Sequence, residues 1–312
     1  TASAELQLDR SVKWLEAVCH RNQFVFLGIK NSRLQLARGN WYGNFEYYSW
    51  EEEVAEDEYF LIADQYQSNV VMIHAAKGIS LGHKFLSKNK YFDEELLVRT
   101  SGGISANPIG ITVNSDGYTV LEGSPSSMTL HHYNANNTLK GSEVCHFKTE
   151  TLYRYYKPFS GMLYRNKTYY SSKGNYLLKI SEDGRGERID MNDMIKMIVI
   201  SAEFSSYMIA VNSGDTVRCI SQDFEDWSGH ISLPEDKSPI DMRFIGSDLL
   251  AVAFNSGLAI YRVLEKGRNY VKENHFDVPH TIVSILQGPR KDRCAVLDEQ
   301  GRILVFNLEE NK

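Results

Sequence analysis

Along this chain, apolar runs meet short turns of Asn, Asp, Ser and Gly and then resume. The arrangement is clearest toward the C-terminus, in LLAVAFNSGLAIYRV (Leu249 to Val263) and CAVLDEQGRILVFNL (Cys294 to Leu308). YMIAVNSGDTVRCIS (Tyr207 to Ser221) and ITVNSDGYTVLEG (Ile111 to Gly123) repeat it. FVFLGIKNSRLQLA (Phe24 to Ala37) and YRNKTYYSSKGNYLLKI (Tyr164 to Ile180) are weaker copies. Each predicts two antiparallel strands around a tight turn, because Gly and Asn accept the positive φ of two-residue hairpins. First strands are predicted near Trp14, Tyr59, Ile109, Gly161, Lys196, Ile240 and Ile282. Their spacing of roughly 40 to 50 residues is that of four-stranded propeller blades.

The last unit is one strand short, because the chain stops soon after Phe306. At the other end, AELQLD (Ala4 to Asp9) alternates apolar and polar residues and has no unit of its own. It is predicted to supply the missing outer strand and so leave no open edge. The reading is all-β: a single seven-bladed β-propeller, one domain over residues 1–312, its ring closed by pairing of the N-terminal strand with the last blade. Short helical turns are expected only at Glu51 to Glu58 and Asp190 to Met197. Longer insertions fall around Lys84 to Gly103 and Gly141 to Lys157.

The C-terminal units resemble WD-repeat blades. SDLLAVAFNSGLAIYRV and DRCAVLDEQGRILVFNL are similar to that family's middle strands, with Tyr261-Arg262 and Phe306-Asn307 standing where the family has Trp-Asp. The family's Gly-His dipeptide is missing from matching points, since Gly82-His83 and Gly229-His230 fall elsewhere in the unit. A second resemblance is to the Asp-box turns of sialidase-type propellers. SQDFEDW (Ser221 to Trp227) is one residue short of that motif and lacks its Gly, and SEDGRGER (Ser181 to Arg188) lacks its aromatic. The second resemblance implies carbohydrate binding or glycoside hydrolysis as the alternative function.

Composition narrows the partners. Apolar residues make up 42% and charged residues 24%, as in a globular protein with a substantial core. The net charge of −6 argues against general binding of nucleic acid, which needs a dense basic surface. No apolar stretch is long enough to form a membrane-spanning helix. Cys19, Cys145, Cys219 and Cys294 lie far apart without ligand-like spacing. They are expected to be buried reduced thiols of an intracellular protein, cytoplasmic or nuclear. The sequons at Asn136 and Asn166 keep open a secreted alternative with disulfides. The absent initial Met and the charged ending EENK suggest a trimmed start or a piece of something longer.

Motifs for chemistry are sparse. There is no GxSxG elbow, Walker loop or dinucleotide-binding glycine pattern, and no metal-ligand spacing, so neither cofactor nor metal is expected. His131-His132 is a tandem pair, but adjacent strand residues point to opposite faces. With 40 Asp and Glu residues, a pair of carboxylates suited to glycoside hydrolysis arises by chance. Catalysis is therefore not the expectation.

Aromatic clusters carry more. Trp41, Tyr42, Phe45, Tyr47, Tyr48 and Trp50 fall within ten residues, and Tyr153, Arg154, Tyr155 and Tyr156 form a second group. Alternate strand residues face opposite sides, so some of these rings are expected outside the core. Exposed Trp, Tyr and Arg dominate protein interfaces. The acidic run Glu51 to Glu58 follows the first cluster and would suit a basic or amphipathic partner segment. The expected function is a non-enzymatic scaffold for other proteins, a subunit of a larger assembly.

Overall fold

In the computed structural model, the described residues are 1–20, 23–53, 59–63, 70–76, 80–86, 98–99, 108–114, 117–123, 127–134, 138–147, 162–201, 207–221, 229–234, 238–246, 248–290 and 292–308. Among them there is no α-helix. In chain order the strands are β1 (Ala4–Gln7), β2 (Lys13–His20), β3 (Gln23–Lys30), β4 (Arg33–Asn40), β5 (Phe45–Glu53), β6 (Tyr59–Ala63), β7 (Val70–Ala76), β8 (Ser80–Leu86) and β9 (Val98–Arg99). They continue as β10 (Pro108–Asn114), β11 (Gly117–Gly123), β12 (Met128–Asn134), β13 (Leu139–Phe147), β14 (Leu163–Arg165), β15 (Thr168–Lys173), β16 (Tyr176–Ser181) and β17 (Arg185–Asp190). The remainder are β18 (Ile195–Ile200), β19 (Met208–Ser213), β20 (Thr216–Ser221), β21 (Ile231–Ser232), β22 (Asp241–Phe244), β23 (Leu249–Phe254), β24 (Gly257–Leu264), β25 (Asn269–Asp277), β26 (Ile282–Gln287), β27 (Arg293–Asp298) and β28 (Arg302–Asn307). A 3₁₀ turn, Glu265–Gly267, precedes β25.

These strands form five four-stranded sheets and one of eight strands. Four sheets run in sequence order: β2–β5, β6–β9, β18–β21 and β22–β25. The last sheet has the order β1-β28-β27-β26, so the N-terminal strand is its outer member. Ala4 pairs with Val305 and Gln7 with Arg302, the antiparallel pairing expected from the alternating AELQLD segment. All six predicted hairpins are present, and in two of their turns both central residues show the expected positive φ, whereas Asn255 and Ser256 between β23 and β24 lie outside the left-handed region. Asn31 and Ser32 have φ of 52° and 60°, and Asn166 and Lys167 have φ of 47° and 60°, the left-handed values that type I′ turns require.

The eight-stranded sheet arises where β13 pairs parallel with β17, His146 opposite Arg185 and Phe147 opposite Gly186. Gly184 makes this junction possible. Its φ is +81°, and a Cβ there would sit 2.4 Å from the Val144 carbonyl oxygen. The His146 N–H donates to the Gly184 carbonyl at 2.7 Å, sealing the two edges.

The helical turn expected over Asp190 to Met197 is instead the end of β17, a turn, and the start of β18. Asp190 Oδ1 accepts the Asn192 N–H at 2.8 Å, and Asn192 takes φ +69°. A short polar side chain that captures the backbone two residues on competes with the helix. Of the other expected turn, Glu51–Glu53 belongs to β5 and 54–58 lies outside the described residues.

The chain divides into two compact units, Thr1–Asp57, Val199–Ala210 and Asp215–Lys312 in one, Glu58–Ile198 and Val211–Gly214 in the other. In the first, Trp14, Phe24, Phe26 and Ala37 pack with Leu286, Leu297, Ile303 and Val305. A second cluster joins Ala251, Leu258 and Ile260 to Ile285, Val296 and Phe306. In the second unit, Leu121, Leu130 and Cys145 meet Tyr169, Leu178 and Ile180. Middle strands such as β23 and β27 are buried on both faces, which is why they read as continuous apolar runs rather than alternating ones. Each fully buried Leu or Phe contributes about 1.5–3 kcal/mol.

Candidate functional site

The first aromatic cluster sits on the β4–β5 hairpin. Asn40 shapes its turn: the carbonyl accepts the Gly43 N–H at 3.0 Å, and Oδ1 accepts the Tyr42 N–H at 2.9 Å. Two of the expected docking residues, Trp41 and Phe45, are partly buried and pack against the core. The Trp41 ring lies edge-on to Phe24, with centroids 4.5 Å apart, and Phe45 lies edge-on to Phe26 at 6.1 Å. Both pack against the cluster around Trp14 and Leu297 while keeping partial exposure. Gly39 leaves room for this, since a Cβ there would sit 2.1 Å from Phe45 Cδ1.

Tyr47 and Tyr48 point to opposite sides of β5, as period-two alternation requires. The Tyr47 ring lies 6.3 Å from Trp14, and its hydroxyl accepts the Asp9 N–H at 3.1 Å. Partial burial raises its pKa. Asp9 is itself tied down. Its carboxylate accepts Ser11 Oγ at 2.6 Å and the Ser11 N–H at 2.8 Å, and it pairs with Lys30 Nζ at 3.2 Å. The Ser11 bonds foremost hold this carboxyl below the ordinary range. On the other side of β5, the Tyr48 hydroxyl donates to Glu46 Oε2 at 3.3 Å, and Arg38 pairs with the same oxygen at 2.5 Å. The Arg38 hydrogen bond is the main reason the Glu46 carboxyl is held low.

Exposed on this hairpin are Tyr42, 85% exposed at the turn, and the outward parts of Tyr47 and Tyr48. The structure thus brings Tyr42, Tyr47, Tyr48, Arg38 and Glu46 onto one hairpin and withdraws much of Trp41 and Phe45. Trp50 is a strand position in β5 whose side chain lies outside the described residues, as do Tyr153, Arg154, Tyr155 and Tyr156. The Arg38–Glu46 pair escaped sequence reasoning. Its only signal is that the two residues become direct cross-strand partners once the hairpin register is known.

Elsewhere the turn over SEDGR binds itself. Ser181 Oγ donates to Asp183, and Asp183 Oδ2 accepts Arg185 Nε at 2.8 Å. The Asp-box-like residues here act on the turn they occupy. In the SQDFEDW segment, Ser221 closes β20 and 222–228 lie outside the described residues. His131 and His132 do face opposite sides of β12, toward Ser142 and Thr119 respectively. All four cysteines are free and buried, and burial pushes each thiol up to about 12.

No protein-family model matches this sequence, and no curated protein matches it. Solved structures do. A chain of a mitotic checkpoint complex crystal structure superposes with TM-score 0.65 at 10% identity, covering 98% of this chain and 91% of that one. The β-propeller domain of Cps50 (Swd1) from Myceliophteria thermophila gives 0.66 at 11% identity, covering 98% of each. KlHsv2 with its loop 6CD replaced by a Gly-Ser linker gives 0.58 at 10%, covering 93% of this chain and 90% of that one. At such identities the likeness is one of fold, that of a β-propeller, in keeping with the WD-repeat resemblance of the C-terminal units.

Proposed function

We propose that this chain is a non-enzymatic interaction platform, a one-domain, seven-bladed propeller that serves as a subunit of a larger intracellular assembly. The seven-bladed reading is supported by counting the eight-stranded sheet as two blades joined at β13 and β17, and the ring closure by the β1–β28 pairing. Structural neighbours include a chain from a mitotic checkpoint complex, which supports a role among protein partners. The carrying observation is Tyr42. A tyrosine 85% exposed at a turn held by Asn40, beside the outer strand β5, supplies large contact area at low entropic cost. The acidic Glu51–Glu53 end of β5 favours a basic or amphipathic segment, and the Tyr153–Tyr156 group extends the same reading.

The test is affinity capture from native extract, with mass spectrometry, using wild type, Tyr42→Ala/Tyr48→Ala, and Tyr153→Ala/Tyr156→Ala. A stoichiometric partner lost with the first double variant, which must melt like wild type, supports docking on the β4–β5 hairpin. Loss only with the second moves the site there. No stoichiometric partner for wild type overturns the platform reading.

A further inference from the structure

Three side chains meet on one face of the β11–β12–β13 sheet. Val120 pairs with His131, and His131 with Ser142, while Glu122 stands two residues from Val120 on the same side. His131 Nε2 lies 2.9 Å from Glu122 Oε2, and His131 Nδ1 lies 2.7 Å from Ser142 Oγ. The His131 and Glu122 side chains are only 16% and 13% exposed, whereas Ser142 is exposed on β13. The carboxylate assigns the imidazole proton to Nε2, which leaves the Nδ1 lone pair to accept the Ser142 hydroxyl proton. A nucleophile within reach of a base, and a base oriented by a third group, is the arrangement that activates a serine. Val144, 51% exposed, is two residues from Ser142 on the same face, and Leu139, 50% exposed, lies opposite Tyr133 on that face.

We propose that Ser142 is an activated nucleophile that accepts short apolar acyl groups from activated esters, with His131 as base and Glu122 as its positioning residue. Ser142 Oγ attacks the ester carbonyl and passes its proton to His131 Nδ1. The Oγ–carbon bond forms, and the bond from that carbon to the leaving oxygen breaks. The departing oxygen leaves as a stable anion or takes the proton back from the imidazolium, which Glu122 stabilises meanwhile. Activated esters are the substrate class because their leaving groups demand little acid assistance. Val144 and Leu139 favour an apolar acyl chain. The acceptance is stoichiometric, one acyl group per chain without turnover, so it stands beside the non-enzymatic platform and is independent of docking on the β4–β5 hairpin.

The experiment is to mix the protein with para-nitrophenyl butyrate, follow release of nitrophenolate, and map the butyryl group by peptide mass spectrometry. One equivalent on Ser142, abolished by Ser142→Ala and slowed about 100-fold by His131→Gln, is the expected result, since positioned bases contribute on that scale. Glu122→Gln should slow the reaction less. Mapping in the wild type needs no variant, so a misfolded His131→Gln protein would leave the site assignment intact. Butyryl found only on lysines, or a Ser142 no more reactive than a serine in the unfolded chain, overturns the proposal. So does a folded His131→Gln protein acylated at the wild-type rate.

Discussion

The Tyr270 hydroxyl accepts the backbone N–H of Cys219 at 2.9 Å. It also lies 3.4 Å from the Gly229 carbonyl oxygen, to which it donates. The contact explains how the β18–β21 sheet tolerates an outer strand of two residues. β21 covers Thr216 and Val217 of β20, and the edge beyond them is served by a side chain from β25. Exposed sheet edges invite pairing with other chains, and a side-chain cap is one way to close them. Replacing Tyr270 by Phe keeps the ring but leaves the Cys219 N–H without its acceptor. The expected cost is about 1–3 kcal/mol. Thermal unfolding together with faster hydrogen exchange at Cys219 checks it, and unchanged exchange would show that the cap is dispensable.

Asp241 makes a comparable link between β22 and β26. Its Oδ2 accepts the Ile285 N–H at 2.7 Å and its Oδ1 accepts the Met242 N–H at 2.9 Å. Ser284 Oγ lies 3.3 Å from Oδ2. Burial of the carboxyl group pushes its pKa up, against the pull of these donors and of Arg243. An acid held above its ordinary 3.8 favours the folded state below that value and loses this advantage as pH rises through its folded pKa. Asp241→Asn removes the charge but leaves one backbone N–H facing an amide NH₂. A loss of about 1–3 kcal/mol at neutral pH is expected from chemical denaturation. A variant as stable as wild type would mean that relief of ion desolvation offsets the lost acceptor.

The hairpins were legible because their determinants are local. Asn31-Ser32 and Asn166-Lys167 sit in the turns they specify, and the apolar runs of β23 and β27 lead directly into short polar turns. The β1–β28 pairing spans the whole chain yet was legible through the alternation of AELQLD and the missing strand at the other end. The facing of the aromatic cluster was not. Trp41 and Phe45 turn inward because Phe24 and Phe26 wait on β3, and Tyr47 is fixed by an Asp9 that lies 38 residues earlier. Nor did the sequence around Ile231 announce a two-residue strand, since the Tyr270 hydroxyl that compensates is 51 residues from Cys219.

Acid should weaken the unit that holds β12. Burial foremost lowers the pKa of His132, with His131 adding to the effect and Glu143 and Glu182 opposing it. Its Nδ1 lies 3.0 Å from Thr119 Oγ1. A histidine that binds its proton less readily folded than unfolded contributes stability above its ordinary 6.5, and that stability is lost as pH falls from there toward the folded value. Melting temperatures measured from pH 7.5 down to 5 should therefore fall for wild type, and fall less for His132→Gln. Parallel profiles for the two proteins would assign the acid sensitivity to another group.

Neighbouring aromatics on the β4–β5 hairpin should separate stability from binding. Tyr42 is 85% exposed, so Tyr42→Ala should change stability by no more than about 0.5 kcal/mol. Trp41 packs on Phe24 and the core behind it, so Trp41→Ala should cost about 2 kcal/mol or more. Phe45→Ala should rank with Trp41→Ala, since its ring meets Phe26. Denaturant titration of the three variants checks the ranking. If Tyr42→Ala proves as destabilising as Trp41→Ala, the exposed ring is structural and the docking reading loses its anchor. If Tyr42→Ala is silent in stability and still releases the captured partner, the hairpin tip is the contact.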